Sequence, residues 1–451
     1  MTDTRSLLAT TAVMAADHLE GLATRGAAPT DVALAALQTL PGELADDSLG
    51  ADQVVEELHR LGAPATMGLP GGRYFGFVNG GTLPAALAAD WLVSAWDQNA
   101  ALSIMSPIAA HAEQISLRWV RELLGLPADG ESAFVTGASV ANATGLAAAR
   151  DEVLRRVGWN VGSQGLFGAP PIAVYVGGEA HSTVHKALGL IGMGRDRVLN
   201  LPVDAEGTII PADLPTISGP SIVCLQAGNV NSGGSDPFAP LIEWAHEAGA
   251  WVHVDGAFGL WSAASPQLRH LVAGVGEADS WATDGHKWLN VPYDSGIVTV
   301  RDGSHLSAAL GTQAAYLPGD GREAMHLTPQ SSQRARGVVA WAALRHLGRT
   351  GVAELVERCC RHAARFGESM TAAGHTVMND VVINQVVISF GSDETTTKVI
   401  SNIQADGTIW AGPTVWQGKV AMRFSVSSWA TTDDDIDAAV AAVARAVAQA
   451  S

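Results

Sequence analysis

The chain is 451 residues long, 47% hydrophobic and only 16% charged, which is ample apolar material for a large core and more than one structural lobe. Its 45 acidic and 27 basic side chains leave a formal net charge of −18. That balance disfavours nucleic acid or an anionic membrane as partner, because such surfaces are held by a concentrated basic patch and none occurs.

The first stretch, MTDTRSLLATTAVMAADHLEGL, carries an acid at position 3 and spaces its apolar residues helically, unlike a secretory signal. No apolar run is long enough to span a membrane. Residues 31–40 and 51–61 place apolar side chains three and four apart, which predicts amphipathic helices. Residues 1–70 are therefore expected to form a helical segment suited to covering a neighbouring subunit. From residue 131 to about 300, short apolar strands alternate with helical stretches: IAVYVGG, HSTVHKALGLIG, DRVLNLPV, then the strands SIVCLQAG, AWVHVDGA and SGIVTV. This alternation predicts βαβ units and a mostly parallel sheet in a large domain over 71–330. Ligands of such sheets sit at the carboxyl ends of the strands. Beyond about residue 328 the helical stretches SQRARGVVAWAALRHLG and VAELVERCCRHAARFGESMTAAG precede the strand candidates HTVMNDVV, INQVVISF and KVAMRFSVS and an Ala-rich last helix. They predict a smaller α+β domain over 331–451. Cys224, Cys359 and Cys360 are too few for a disulfide framework and lack metal-ligand spacing, so a reducing cytoplasm is the expected location.

Four segments carry chemistry. In SAFVTGASVANATGLAAARD a strand, a Gly-containing turn and a helix start bring Ala138 and Ser139 to a helix N-terminus, where free N–H groups and the dipole favour an anion. In GGEAHSTVHKALGL, His181 stands between a strand and a helix, with a flat ring able to stack on another. AWVHVDGAFG delivers Asp255 to a strand end. SWATDGHKWLNVPYDSG places His286 and Lys287 in a loop at the same sheet edge. Singly, these have ordinary readings as a capped helix, a packing histidine, a turn aspartate and a surface lysine.

In this order the segments resemble the group II pyridoxal 5′-phosphate (PLP)-dependent decarboxylases, the family of aromatic-L-amino-acid, histidine and glutamate decarboxylases, from about residue 73 to 390. The resemblance implies an α/β fold of the fold-type I, aspartate aminotransferase-like class, with a mostly parallel seven-stranded sheet in the large domain. It implies that Lys287 carries PLP as a Schiff base and that Asp255 pairs with the protonated pyridine nitrogen, making the ring an electron sink. It also implies that Ala257 lies under the ring, His181 stacks on it, Ala138 and Ser139 hold the phosphate, and His286 accompanies the lysine. RYFGFVNGGTLPAALAADWLVSAWDQN matches the substrate-side stretch, with Tyr74 and Phe75 bordering the pocket. The expected reaction is decarboxylation of an aromatic or apolar L-amino acid to the amine and CO2, by a homodimer whose sites lie between subunits. Related PLP reactions on the same fold are the alternatives: decarboxylating oxidation to an aldehyde, transamination, or carbon–carbon cleavage.

Two departures qualify the match. QAGNVNSGGSDP stands where the family carries a Thr-Thr run, so Asn229 or Asn231 takes over the cofactor contact, with Asn231 favoured. Between Tyr316 and Arg334 the loop lacks the tyrosine that returns a proton to carbon, leaving His326 or Tyr316 as the acid. Arg73, Arg322 and Arg334 are the candidates for a substrate carboxylate.

Overall fold

Strands that are apolar on both faces require helices on both sides, and the central segment supplies them in alternation. In the computed structural model, which describes residues 3–312 and 321–450, seven strands share one sheet. They are β1 (Glu131–Val135), β2 (Ala173–Gly177), β3 (Val198–Leu201), β4 (Ser221–Gln226), β5 (Trp251–Asp255), β6 (Ser280–Asp284) and β7 (Gly296–Val300), in the order β1-β7-β6-β5-β4-β2-β3. Only β7 runs antiparallel, to both β1 and β6. β5, β6 and β7 are buried at every position. This is the mostly parallel sheet expected of a fold-type I enzyme.

The helix Ala138–Arg155 lies on this sheet through alanines and one buried polar network. His253 of β5 bonds Asn142 of the helix through Nε2 at 2.9 Å and Ser280 of β6 through Nδ1 at 2.8 Å, and Trp251 Nε1 donates to the same Ser280 hydroxyl. Burial pushes His253 down to about 4, so the network holds a neutral imidazole. Gly145 lets the helix come this close: a Cβ there would lie 2.9 Å from the His253 ring. The helix start is thereby fixed over the ends of β5 and β6.

A second sheet, ordered β10-β11-β9-β8, forms the smaller lobe from β8 (Thr376–Val377), β9 (Gln385–Ser389), β10 (Gly412–Trp416) and β11 (Lys419–Ser425). β10 lies outside the strand candidates of the sequence; it is a short edge strand with alternating exposure and little apolar signal. The helix Arg336–Ala372 reaches across both lobes and breaks at Gly348, where φ is 61°. Residues 73–78 also tie the lobes together. Phe75 N–H donates to the Trp410 carbonyl at 2.8 Å, and its own carbonyl accepts from Ser425 at 2.9 Å. The N-terminal helix Thr4–Gly21 buries none of its residues.

Candidate active site

β6 ends at Asp284, and the chain then turns sharply, presenting His286 and Lys287 at the sheet edge. Asn290 holds this turn. Its φ of 56° reverses the chain, and its fully buried amide nitrogen lies 3.0–3.2 Å from the carbonyls of Lys287, Trp288 and Ser427. Its Oδ1 accepts from Trp429 N–H at 2.8 Å, so the lysine turn is fastened to the small lobe. Gly80 crosses the same turn so closely that a Cβ would fall 1.6 Å from the Lys287 carbonyl. Lys287 Nζ lies 3.2 Å from Asp284 Oδ2 and 6.0 Å from the Phe258 ring centroid.

Asp284 also serves the helix start. Its Oδ1 accepts from Ala138 N–H at 2.6 Å, while the N-cap residue, Gly137, offers no side chain of its own. Ser139 sits half-buried in the first turn. Gly137 and Gly296 pack backbone to backbone, and a Cβ on Gly137 would lie 3.2 Å from His286 Cε1. His286 therefore faces the helix mouth. Its Nδ1 accepts from Ser295 N–H at 3.0 Å, which leaves the proton on Nε2, 3.6 Å from Asp284 Oδ1. Burial lowers the His286 pKa.

Asp255, 4% exposed at the end of β5, accepts from Ala257 N–H at 3.2 Å through Oδ1. Its Oδ2 lies 3.5 Å from the Thr183 hydroxyl, which in turn bonds His181 Nδ1 at 2.7 Å. His181 caps the helix Ser182–Leu190, and its N–H donates to Gln226 Oε1 at 3.2 Å. Burial holds His181 below its ordinary range; Asp255 opposes the shift, and Lys287 and Arg423 add to it. The field at this one imidazole thus records how closely the lysine, the strand-end carboxylate and a small-lobe arginine converge.

Arg423 of β11 carried no signal in the sequence. Burial pushes it down to about 10; it donates to the Val230 carbonyl at 3.2 Å and pairs with no carboxylate among the described residues. The arginines singled out in the sequence are committed elsewhere: Arg73 to Asp435, Arg322 to Glu113 and Glu131, and Arg334 to Asp90, all within 3.0 Å. Asp284 and Thr183 also escaped the sequence reading, although Asp284 has the strand-end placement that marked Asp255.

Ala257 links the two carboxylate strands, its carbonyl accepting from Asp284 N–H at 3.0 Å. Asn229 spends Oδ1 on the N–H groups of Asn231 and Ser232 and its amide on the Glu179 carbonyl, so it shapes the turn. Asn231 accepts from the Thr414 hydroxyl at 2.7 Å. Tyr74 stacks on Trp410 at 5.1 Å, whereas Phe75 packs into the small-lobe core against Phe424 at 4.0 Å. His326 Nδ1 accepts from Thr312 N–H at 3.4 Å, and Tyr316 lies outside the described residues.

The donor set fits PLP. The glycine-led helix N-terminus, where Asp284 takes the Ala138 N–H, has further first-turn N–H groups and a dipole that suit a phosphate, the Lys287 amine suits a carbonyl, and the buried Asp255 carboxylate suits a cationic ring nitrogen. The model of the pyridoxal-dependent decarboxylase conserved domain matches residues 35–390. Tryptophan decarboxylase 1 of Oryza sativa subsp. japonica is 27% identical over 439 residues, covering 86% of this chain and 84% of that protein. Phenylacetaldehyde synthase of Arabidopsis thaliana is 23% identical, covering 88% and 86%. The crystal structure of Oryza sativa TDC with PLP and tryptamine matches with TM-score 0.91 at 24% identity, over 99% of this chain and 98% of that one.

Proposed function

This chain belongs to the pyridoxal-dependent decarboxylase family, a carboxy-lyase that uses PLP on an amino acid, and from that premise we propose an aromatic L-amino acid as its substrate. The observation that carries the proposal is the aromatic wall beside the lysine turn: Trp410 stacks with Tyr74 at 5.1 Å and with Phe77 at 5.7 Å. A planar ring extends such a stack at about 0.5–1.5 kcal/mol beyond its area burial.

When bound, PLP supplies a carbonyl for the substrate amine and a cationic ring that draws off the electron pair released as CO2 departs. Lys287, its Nζ 3.2 Å from Asp284 Oδ2, would hold PLP through that carbonyl. Asp255 would keep the proton on the ring nitrogen, and Thr183 orients both Asp255 and His181. His181, kept neutral by burial, would stack on the ring without adding a second positive charge. Ala138, Ser139 and His286 would hold the phosphate, and Ala257 and Asn231 would contact the ring. Arg423 would bind the substrate's α-carboxylate and fix its orientation, which selects the bond that breaks. Tyr74 borders the substrate side, with Phe75 as its support from behind.

The active species is proposed to be a homodimer with its sites at the subunit interface. The helix Thr4–Gly21, none of whose residues is fully buried, and the exposed Trp91, Leu92, Trp96, Ile104 and Ile108 support this, since such apolar surface calls for a cover. Among the described residues no helix is long and apolar enough to cross a membrane. A cytoplasmic location is proposed on the free thiols of Cys224, Cys359 and Cys360.

The test is to load purified protein with PLP and follow CO2 and product mass for each of the twenty amino acids. Carbon dioxide with an aromatic amine supports the proposal. An aldehyde with ammonia and peroxide moves the enzyme to the oxidative alternative, and turnover of aliphatic or acidic substrates alone overturns the aromatic assignment.

A further inference from the structure

The helix Pro107–Leu124 and the first half of the helix Arg336–Ala372 meet closely at one end and splay at the other. At Gly337 their backbones touch: a Cβ there would lie 2.6 Å from Glu113 Cα. Further along, Trp119 and Trp341 face each other with ring centroids 6.5 Å apart and planes 23° from parallel, and the second helix then breaks at Gly348, where φ is 61°. Two indoles followed by a break hold the helices apart. The gap is a cavity of about 480 Å³, a size that takes a small molecule, and none of its lining residues belongs to the active site described above.

The polar side chains of this cavity are almost all donors. Arg118, Arg345 and Arg349 line it, and Glu122 is its one carboxylate. Glu122 is spent on Arg349 at 2.6 Å, in a pair exposed at both ends and therefore loosely held. Arg118 and Arg345 make no hydrogen bond or ion pair among the described residues, and the indole N–H groups of Trp119 and Trp341 meet no acceptor there. A chain of net charge −18 thus gathers an excess of cations at one aromatic groove. The neighbouring cavity of about 720 Å³, which shares Glu122 and Arg349, has no such excess, since Glu354 and Glu357 join Glu122 there against Arg269 and Arg349. Indole faces hold a flat ring by stacking, and a guanidinium fork holds a carboxylate. An ammonium group would be repelled.

We propose that the groove between these two helices, walled by Trp119 and Trp341 and rimmed by Arg118 and Arg345, is a second binding site that takes an aromatic carboxylate carrying no amine. The experiment titrates indole-3-acetate calorimetrically into the PLP-loaded wild type, Trp341→Ala, the double variant Arg118→Gln/Arg345→Gln, and Arg423→Gln as the active-site control. The wild type should bind saturably, and Arg423→Gln should keep that affinity within about twofold, because it lies outside the groove. Trp341→Ala and the double variant should each weaken binding by at least about tenfold, the worth of one charge-assisted hydrogen bond or more, and indole, which lacks the carboxylate, should bind the wild type weaker by a similar factor. Should Trp341→Ala fail to fold, the double variant decides alone, since both its arginines are exposed. Absence of saturable binding overturns the proposal, as does undiminished binding by the double variant. Loss of binding in Arg423→Gln overturns it too, by placing the acid in the active site. If the double variant runs as a smaller species than wild type on a sizing column, a second copy of the chain covers the groove and the proposal falls.

Discussion

Replacing Asn290 should loosen the lysine turn more than any exposed change near it. The side chain is fully buried at φ 56°, and its amide has two hydrogens for three carbonyls at 3.0–3.2 Å, so two donor bonds and the acceptor bond to Trp429 are the most it makes together. Each buried partner left unpaired costs about 1–3 kcal/mol. Asn290→Gly, which keeps the backbone conformation accessible, should therefore destabilise by roughly 3–9 kcal/mol. Asn290→Ala should lose about 1–2 kcal/mol more, the cost of a Cβ in the left-handed region. The assay is the urea midpoint of the PLP-loaded protein alongside kcat/KM for its best amino acid. Because the bonds join the Lys287 and Trp288 carbonyls to Ser427 and Trp429, activity should be lost at denaturant concentrations where the protein is still folded. A glycine variant as stable and active as wild type would refute the reasoning. An alanine variant no worse than glycine would show that the left-handed backbone carries no cost.

Lys287→Ala should abolish covalent capture of the cofactor: after borohydride reduction, mass spectrometry should find a pyridoxyl adduct on the wild-type peptide carrying residue 287 and on no peptide of the variant. Arg423→Gln should raise KM about ten- to a hundredfold, the worth of one charged hydrogen bond, with a smaller change in kcat; an unchanged KM removes Arg423 from the carboxylate site. His253 is held at about 4, below its unfolded value near 6.5, so the unfolded chain binds the extra proton between those values. Its contribution is complete above pH 6.5 and is lost as pH falls toward 4. Between pH 7 and 5 that amounts to about 2 kcal/mol, so the fall in urea stability over this interval should be smaller by about that amount in His253→Gln than in wild type. An equal fall in both proteins would show that the Asn142 and Ser280 network does not hold a neutral imidazole.

Much of the site was legible because its residues end strands. A strand written apolar on both faces and closed by a carboxylate or a Gly-rich turn announces a functional edge, and Asp255, Lys287 and the helix start at Ala138 were readable on that ground. Asp284 follows the same rule but was masked by the more reactive pair next to it. Arg423 was not readable, because its strand is an ordinary half-apolar hairpin arm whose burial against Val230 depends on how the small lobe docks. Arg73, Arg322 and Arg334 stood in more suggestive positions, yet each meets a carboxylate distant in the chain. Phe75 and Tyr74 show the same limit at shorter range: adjacent in sequence, they face opposite sides of one extended segment, one into the Phe424 core and the other onto Trp410.

The sequence by itself determined the fold class, the order of the elements and the chemistry each strand end carries, since periodicity, turn residues and reactive side chains are local properties of the chain. Only the tertiary structure decided which charges are already neutralised and which stay free to meet a ligand, and how the lysine turn is fastened. Those outcomes depend on how the chain folds back on itself, both within the turn and between distant segments such as Arg73 with Asp435 and Asn290 with Ser427. Lys287 was visible as a lysine at a sheet edge; its pairing with Asp284, the clamp of Asn290 on its backbone and the approach of Arg423 exist only in the folded molecule.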